Sequence, residues 1–199
     1  MKLPAHDLLG LVVATSFAAG LNVYATVATL GLLARSGAIV LPSSLQLLAS
    51  WYVISAALIL FGIEFFADKI PAFDLIWNAL HTFIRVPVAA LLAWHATTQL
   101  SPGEQLGAAL AGGLIALAAH SGKTAARAAV TPSPEPVSNA VLSLGEDAIA
   151  VALTWFATRH PWLASALVMI LLAGVLVMIR WIVRAMRALF RGAERRLAT

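Results

Sequence analysis

Cysteine is absent from the 199 residues, and charge is scarce: Asp, Glu, Lys and Arg together make up 11%. Without cysteine there is no disulfide framework and no thiolate chemistry. With so little charge the chain lacks the surface of a soluble fold, which commits about a quarter of its residues to charged side chains. Nor is there a basic face for nucleic acid, because the positive residues behind the net charge of +4 gather at the C-terminal end. Residues of the AVILMFWYC set fill 61% of the positions, and the mean hydropathy is +0.90. The composition therefore describes one all-α domain that presents its surface to lipid.

A membrane-spanning helix takes about 20 predominantly apolar residues. Six runs are candidates, several of them short enough to imply tilt or partial burial in a bundle: Leu8–Ala34, Trp51–Phe66, Phe83–Thr98, Leu106–His120, Ala140–Thr158 and Trp162–Ile179. The first begins like a secretory signal, but it continues to about Ala34, too far for an ordinary signal core, and is read as a span. The expectation is a polytopic helix bundle over residues 1–179, followed by a basic tail over 180–199. Trp51, Trp155, Trp162 and Trp181 fall at span ends, as an aromatic belt requires.

Two stretches between spans carry too much apolar sequence for plain turns: Ala67–Thr82 and Ser121–Asn139. Prolines interrupt both, and Asp74 and Asn139 are placed to cap the helices that follow. Two readings stand, a re-entrant hairpin and an ordinary interfacial loop, since irregular backbone survives at membrane depth only inside protein or beside water. With six spans and a cytoplasmic N-terminus, Lys2, Lys69, Lys123, Arg127 and the arginines from Arg180 onward fall inside, leaving Arg35 and Arg159 outside. Aligning Glu64 with His120 and Arg85 with Glu146 suggests a parallel internal repeat, 51–98 and 106–158, of the kind built into some transporters.

The ionisable residues follow helical spacing. Glu64 and Asp68 are four apart, as are His81 and Arg85, while His120, Lys123 and Arg127 step by three and four. Glu146 and Asp147 enter the fifth span. Each unpaired charge at mid-bilayer costs at least about 2.5–3.5 kcal/mol, so these groups face one another, a hydrated cavity or the interface. Three readings compete. The charges tie helices together, or they line a site for a small polar or ionic solute, or they serve an enzyme. The last lacks a nucleophile, a cofactor motif or a metal-ligand spacing. Gly122-Lys123-Thr124 resembles the end of a phosphate-binding loop, but the required earlier glycine is Leu117.

Transport through a site lined by Glu64, Arg85, His120 and Glu146, with Asp68, His81, Lys123 and Asp147 around them, is the favoured reading. A lipid-handling or scaffold protein is the alternative. A water-accessible cavity along those four residues points to the first, and a dry, fully paired network to the second. Asn22, Lys69, Asp74, Arg127, Glu135 and Asn139 are secondary candidates, with small residues around Asn22 reading either as close packing or as a helix break. Arg180, Arg184, Arg187, Arg191 and Arg195 form one helical stripe suited to anionic headgroups. Membrane lipids and a possible second copy are the expected partners, and the bacterial inner membrane the expected location, with the C-terminus cytoplasmic. Neither cofactor, metal nor nucleic acid is expected.

The strings AAGLNVY, IEFFADKIPAFD, LHTFIRVP, HSGKTAAR, SPEPVSN and SLGED resemble the bacterial multi-pass membrane family designated domain of unknown function 4126. The resemblance runs from the first span through the fifth and leaves the arginine tail outside. It implies a membrane architecture and singles out the acidic, basic and amide residues named above from Asn22 to Asp147, together with Trp77. It implies no particular activity.

Overall fold

The computed structural model describes residues 5–130 and 136–197, with the side chains of 5–6, 71–75, 128–130, 136–139 and 189–197 outside that description. Among the described residues there are seven α-helices, one short 3-10 segment and no strand. The helices are α1 (Ala5–Leu21), α2 (Val23–Arg35), α3 (Trp51–Ala67), α4 (Pro71–Ala96), α5 (Pro102–Val130), α6 (Pro136–Arg159) and α7 (Pro161–Leu197); the 3-10 segment is Ser43–Ala49.

Three stretches are long and apolar enough to cross a membrane: Ile76–Ala96, Ala140–Arg159 and Pro161–Ala188. A fourth is possible if the 3-10 segment and α3, bent by 61°, count as one span. Helix α5 has 29 residues, about 43 Å at 1.5 Å per residue, but carries His120, Lys123 and Arg127 along its second half.

Four prolines start helices here rather than breaking them, and a fifth, Pro87, lies inside α4. Pro71, Pro102, Pro136 and Pro161 each occupy the first helical position, where a missing N–H costs nothing. The two stretches read from sequence as broken hairpins are therefore mostly helix: α4 runs unbroken from 71 to 96 and α5 from 102 to 130. What remains of the first is the turn at 68–70, and of the second the segment 131–135, which contains Glu135 and lies outside the described residues. Asp74 and Asn139 lie within the first turns of α4 and α6, not ahead of them as caps. The true start signals differ. Ser50 accepts a bond from the Val53 N–H ahead of α3. Before α5, the Ser101 N–H and hydroxyl donate to Glu104, a capping-box contact that holds this carboxyl below its ordinary range.

The largest departure is at the first apolar run, which does not cross the bundle. Asn22 stands alone in extended conformation (φ −149°, ψ 104°), and its side-chain oxygen accepts from the Ala25 N–H at 2.9 Å, capping α2. The chain then folds back. Gly10 in α1 lies against the Pro161 carbonyl, where α6 ends and α7 begins. At the far end of α2, Gly31 lies against the Leu48 carbonyl and Ile54. Val12 of α1 shares a core cluster with Ala34, Ile39, Leu41 and Leu45, which end or follow α2. Asp7, Leu11, Leu30, Ile39 and Arg159 line one cavity of about 320 Å³. Both arms thus open on one face, and the tip, Leu21–Asn22–Val23, is buried in the bundle. The 13 residues of α2 reach about 20 Å into it.

This reversal changes the count. After the hairpin, α3 to α7 run alternately between the two faces. Ala5 therefore lies on the face opposite the C-terminal end of α7, whereas the six-span reading put both termini on one side.

Helix α1 sits at the centre because small residues allow it. Ala14, Ala18 and Ala19 are fully buried, and Gly20 packs on Ala116 and Ala119 of α5. A Cβ at Gly20 would meet the Ala116 carbonyl oxygen and lie 2.8 Å from Ala119 Cβ. Overpacking costs about 1–3 kcal/mol, more where backbone is struck. Gly20→Val should therefore lower folded yield in detergent markedly, while Gly62→Ala, with nothing within 4 Å of its Cβ position, should leave it unchanged or raise it slightly.

Helix α7 continues without a break from Pro161 to Leu197, 37 residues or about 55 Å, well beyond a hydrocarbon core of about 30 Å. Arg180, Arg184 and Arg187 are exposed along it. Arg191 and Arg195 continue the stripe on the same helix, their side chains outside the described residues.

Candidate functional site

The hairpin tip meets charged residues from α3, α4, α5 and α6. Glu64 and Asp68 come from the last turn and C-cap of α3, Arg85 from α4, Lys123 and Arg127 from α5, and Glu146 and Asp147 from α6. All are between 0% and 9% exposed. The helical spacing supplies each pair of neighbours, and packing brings the pairs together, with Asn22 of the tip reaching Asp147 across 125 residues of sequence.

Arg85 Nη2 donates to Glu64 Oε1. Lys123 Nζ lies 3.4 Å from the same oxygen, 3.3 Å from Asp68 Oδ2 and 3.3 Å from Glu146 Oε2. Arg127 Nη2 bridges Asp68 Oδ2 at 2.7 Å and Glu146 Oε2 at 2.6 Å. Three cations thus hold three carboxylates in one connected network. Burying any one of these ions alone would cost several kcal/mol, which the mutual contacts offset.

Two histidines border the network, and their bonding fixes their tautomers. His120 Nε2 lies 3.0 Å from the Asn78 carbonyl, so it donates, and Nδ1 accepts from Arg85 Nη1 at 2.6 Å. His81 Nδ1 donates to the Trp77 carbonyl at 2.8 Å, leaving Nε2 to accept from the Tyr24 hydroxyl at 3.0 Å. His81 also packs on the Trp77 ring, centroids 4.3 Å apart. It belongs to an aromatic shell around the ions, not to the ion pairs.

The helix break is wired into the same place. Lys123 Nζ donates to the Leu21 carbonyl at 3.2 Å, one of the groups that the end of α1 leaves unpaired. Asn22 Nδ2 donates to Asp147 Oδ1 at 2.8 Å. Asp147 differs from its three fellow carboxylates. No basic side chain among the described residues pairs with it, and its Oδ2 is buried without a hydrogen-bond partner. Glu64 Oε2 and Asp68 Oδ1 are also buried without a partner.

An open groove of about 430 Å³ between α4 and α5 reaches the edge of the network, lined by Asn78, Thr82, His120, Ser121 and Thr124. Of the four residues expected to line the site, His120 alone reaches that groove; Glu64 and Arg85 are fully enclosed.

The structure brings Glu64, Asp68, Arg85, His120, Lys123 and Glu146 into direct contact and moves Arg127 from a secondary place to a central one. Lys69 stays outside: its ammonium donates to the Phe65 carbonyl at 2.8 Å and lies over the Phe65 ring. Asn78, Tyr24, Ser143 and the Leu21 carbonyl take part without having been singled out in the sequence. Asn78 lies seven residues before Arg85, two turns along one helix face, a spacing that could have flagged it. Tyr24 and Leu21 gave no such signal. Among the described residues, no group of three or more His, Cys, Asp or Glu side chains is arranged to hold a metal ion.

A family model described as domain of unknown function (DUF4126) matches residues 9–181. The chain belongs to that family. The match covers the α1–α2 hairpin from residue 9 on, all seven network residues and the apolar part of α7, further than the quoted strings alone extend. In this DUF4126 member the first eight residues and the basic end of α7 from Ile182 onward lie beyond the matched region. Neither curated proteins nor solved structures return a match.

Proposed function

We propose that the protein is an inner-membrane transporter or channel for a small polar or ionic solute, with the charge network as its intramembrane site. The observation that carries this reading is the re-entrant tip. A helix broken at membrane depth, with its free carbonyl and its capping amide on Lys123 and Asp147, is the arrangement by which transporters present polar backbone to a solute. The unpartnered buried oxygens of Glu64, Asp68 and Asp147 support it, because a network built for cohesion alone has no use for them. The enclosure of Glu64 and Arg85 counts on the other side, toward the scaffold alternative; in a transporter it corresponds to a state sealed from both faces.

Five crossing helices and one re-entrant hairpin complete the proposed topology. The arginine-rich end of α7 and Lys69 then lie in the cytoplasm, and Arg35 and Arg159 outside, as the positive-inside rule favours. The two helix pairs α3–α4 and α5–α6 enter in the same sense, which keeps a parallel repeat open as a description of their origin.

A second reading has its own support. The α4–α5 groove, with hydroxyl, amide and imidazole groups beside exposed Leu117, suits a lipid headgroup, which would make the protein lipid-handling. Reconstituted protein separates the two. Uptake of a solute from a panel of ions and small metabolites, abolished by Lys123→Met in a folded variant, is the result expected of a transporter. Movement of labelled phospholipid between leaflets without solute uptake would favour the lipid reading.

A further inference from the structure

We propose that Asp147 is a proton-binding site at the tip of the re-entrant hairpin, with the exchangeable proton on Oδ2. Proton binding itself stands on geometry; its use as the coupling ion rests on the transport reading above.

Three cations are committed to Glu64, Asp68 and Glu146, and Asp147 is left over. A buried carboxylate without a cation is far costlier than a neutral carboxylic acid, so it takes up a proton. Its Oδ1 already accepts from the Asn22 amide at 2.8 Å, which leaves Oδ2 to carry the hydrogen. The surroundings agree on every side. From α3 it faces the charge of Glu64 and Asp68, and from its own helix Glu146 and Ser143. From α5 come Lys123 and Arg127, both engaged by those acids. The hairpin contributes the Asn22 amide directly and the Leu21 carbonyl through Lys123, and α7 has no ionisable residue before Arg180.

The step is a simple proton transfer: the carboxylate gains a proton from water, no electrons move, and release reverses it. Loss of that proton leaves a carboxylate within the electrostatic reach of Lys123, whose flexible ammonium already holds Leu21. Protonation thereby governs whether Lys123 stays with Glu64, Asp68 and Glu146 or turns toward the tip. That is how a proton bound here would move the hairpin.

Infrared difference spectroscopy on the purified full chain, with aspartate carboxyl groups labelled with carbon-13, tests the site directly. We expect a protonated-carboxyl C=O band at neutral pH, at the isotope-shifted position, lost at high pH and absent from Asp147→Asn. Asp147→Glu should move the band to the unlabelled position, which decides the assignment even if Asp147→Asn folds poorly. Asp7→Asn should leave it in place. No such band in folded wild-type protein, or one that survives Asp147→Asn or stays isotope-shifted in Asp147→Glu, would overturn the proposal. In vesicles, solute uptake should lose its response to a pH gradient in Asp147→Asn; a retained response would remove Asp147 as the coupling site. Absence of any solute uptake in wild-type protein counts against the transport reading alone, because the infrared result stands without it.

Discussion

Arg85→Met should nearly abolish the monodisperse peak on size-exclusion chromatography, and adding Glu64→Leu should restore it. Arg85 is fully buried, and its guanidinium donates to Glu64, His120 and Asn78. Removing it strands Glu64 against Lys123 alone. Breaking a buried pair in this way costs about 3–5 kcal/mol, a large share of a total stability of about 5–15 kcal/mol. Replacing both partners removes the charges together and is close to neutral. The choice of partner is specific. Glu146 is held by Lys123 and Arg127, so Arg85→Met with Glu146→Leu balances charge on paper yet should leave the protein poorly folded. The same variants separate cohesion from transport. If the pair lines a solute site, Arg85→Met/Glu64→Leu should fold and carry no flux, since apolar side chains offer no ligands. Full recovery of flux would remove this pair from any solute path.

The second large effect is all-or-none. Topology reporters fused before Met1, after Ser36 and after Arg159 should mark one side of the membrane, and those after Ile70 and Thr199 the other. The reason is the one-residue reversal at Asn22, which returns the chain to the face where α1 began. A straight first span would put both termini on the same side. Concordant signals from the fusions before Met1 and after Thr199 would therefore refute the hairpin, whichever side they report.

The contrast between these two features explains what the sequence disclosed and what it withheld. Ion-pair geometry was legible because spacing of three or four residues puts Glu64 with Asp68, and Lys123 with Arg127, on single helix faces whatever the rest of the fold does. The long apolar stretches in α4, α6 and α7 were legible by composition alone. The reversal was not. FAAGLNVY has no proline, and a lone asparagine among alanines fits close packing as well as a cap. What turns the chain there is distant: Asp147 and Lys123, more than 100 residues away, take up the polar groups that the break exposes. Proline misled in the opposite direction. At Pro71 and Pro136 it looks like a break in sequence, but one position decides between breaking a helix and starting one.

The depth of the hairpin also has an electrical meaning. Glu64 and Asp68 of the charged cluster lie within about a helical turn of the 68–70 turn, while α2 and its alanine-rich neighbours fill about 20 Å on the other side. A membrane potential falls mainly across low-dielectric material, and carrying one elementary charge through all of it involves about 2.3 kcal/mol per 100 mV. In the proposed topology most of that drop lies between the cluster and the face that bears Arg35 and Arg159. An ion exchanging with the opposite face therefore does little work against the field, and one crossing the hairpin does nearly all of it.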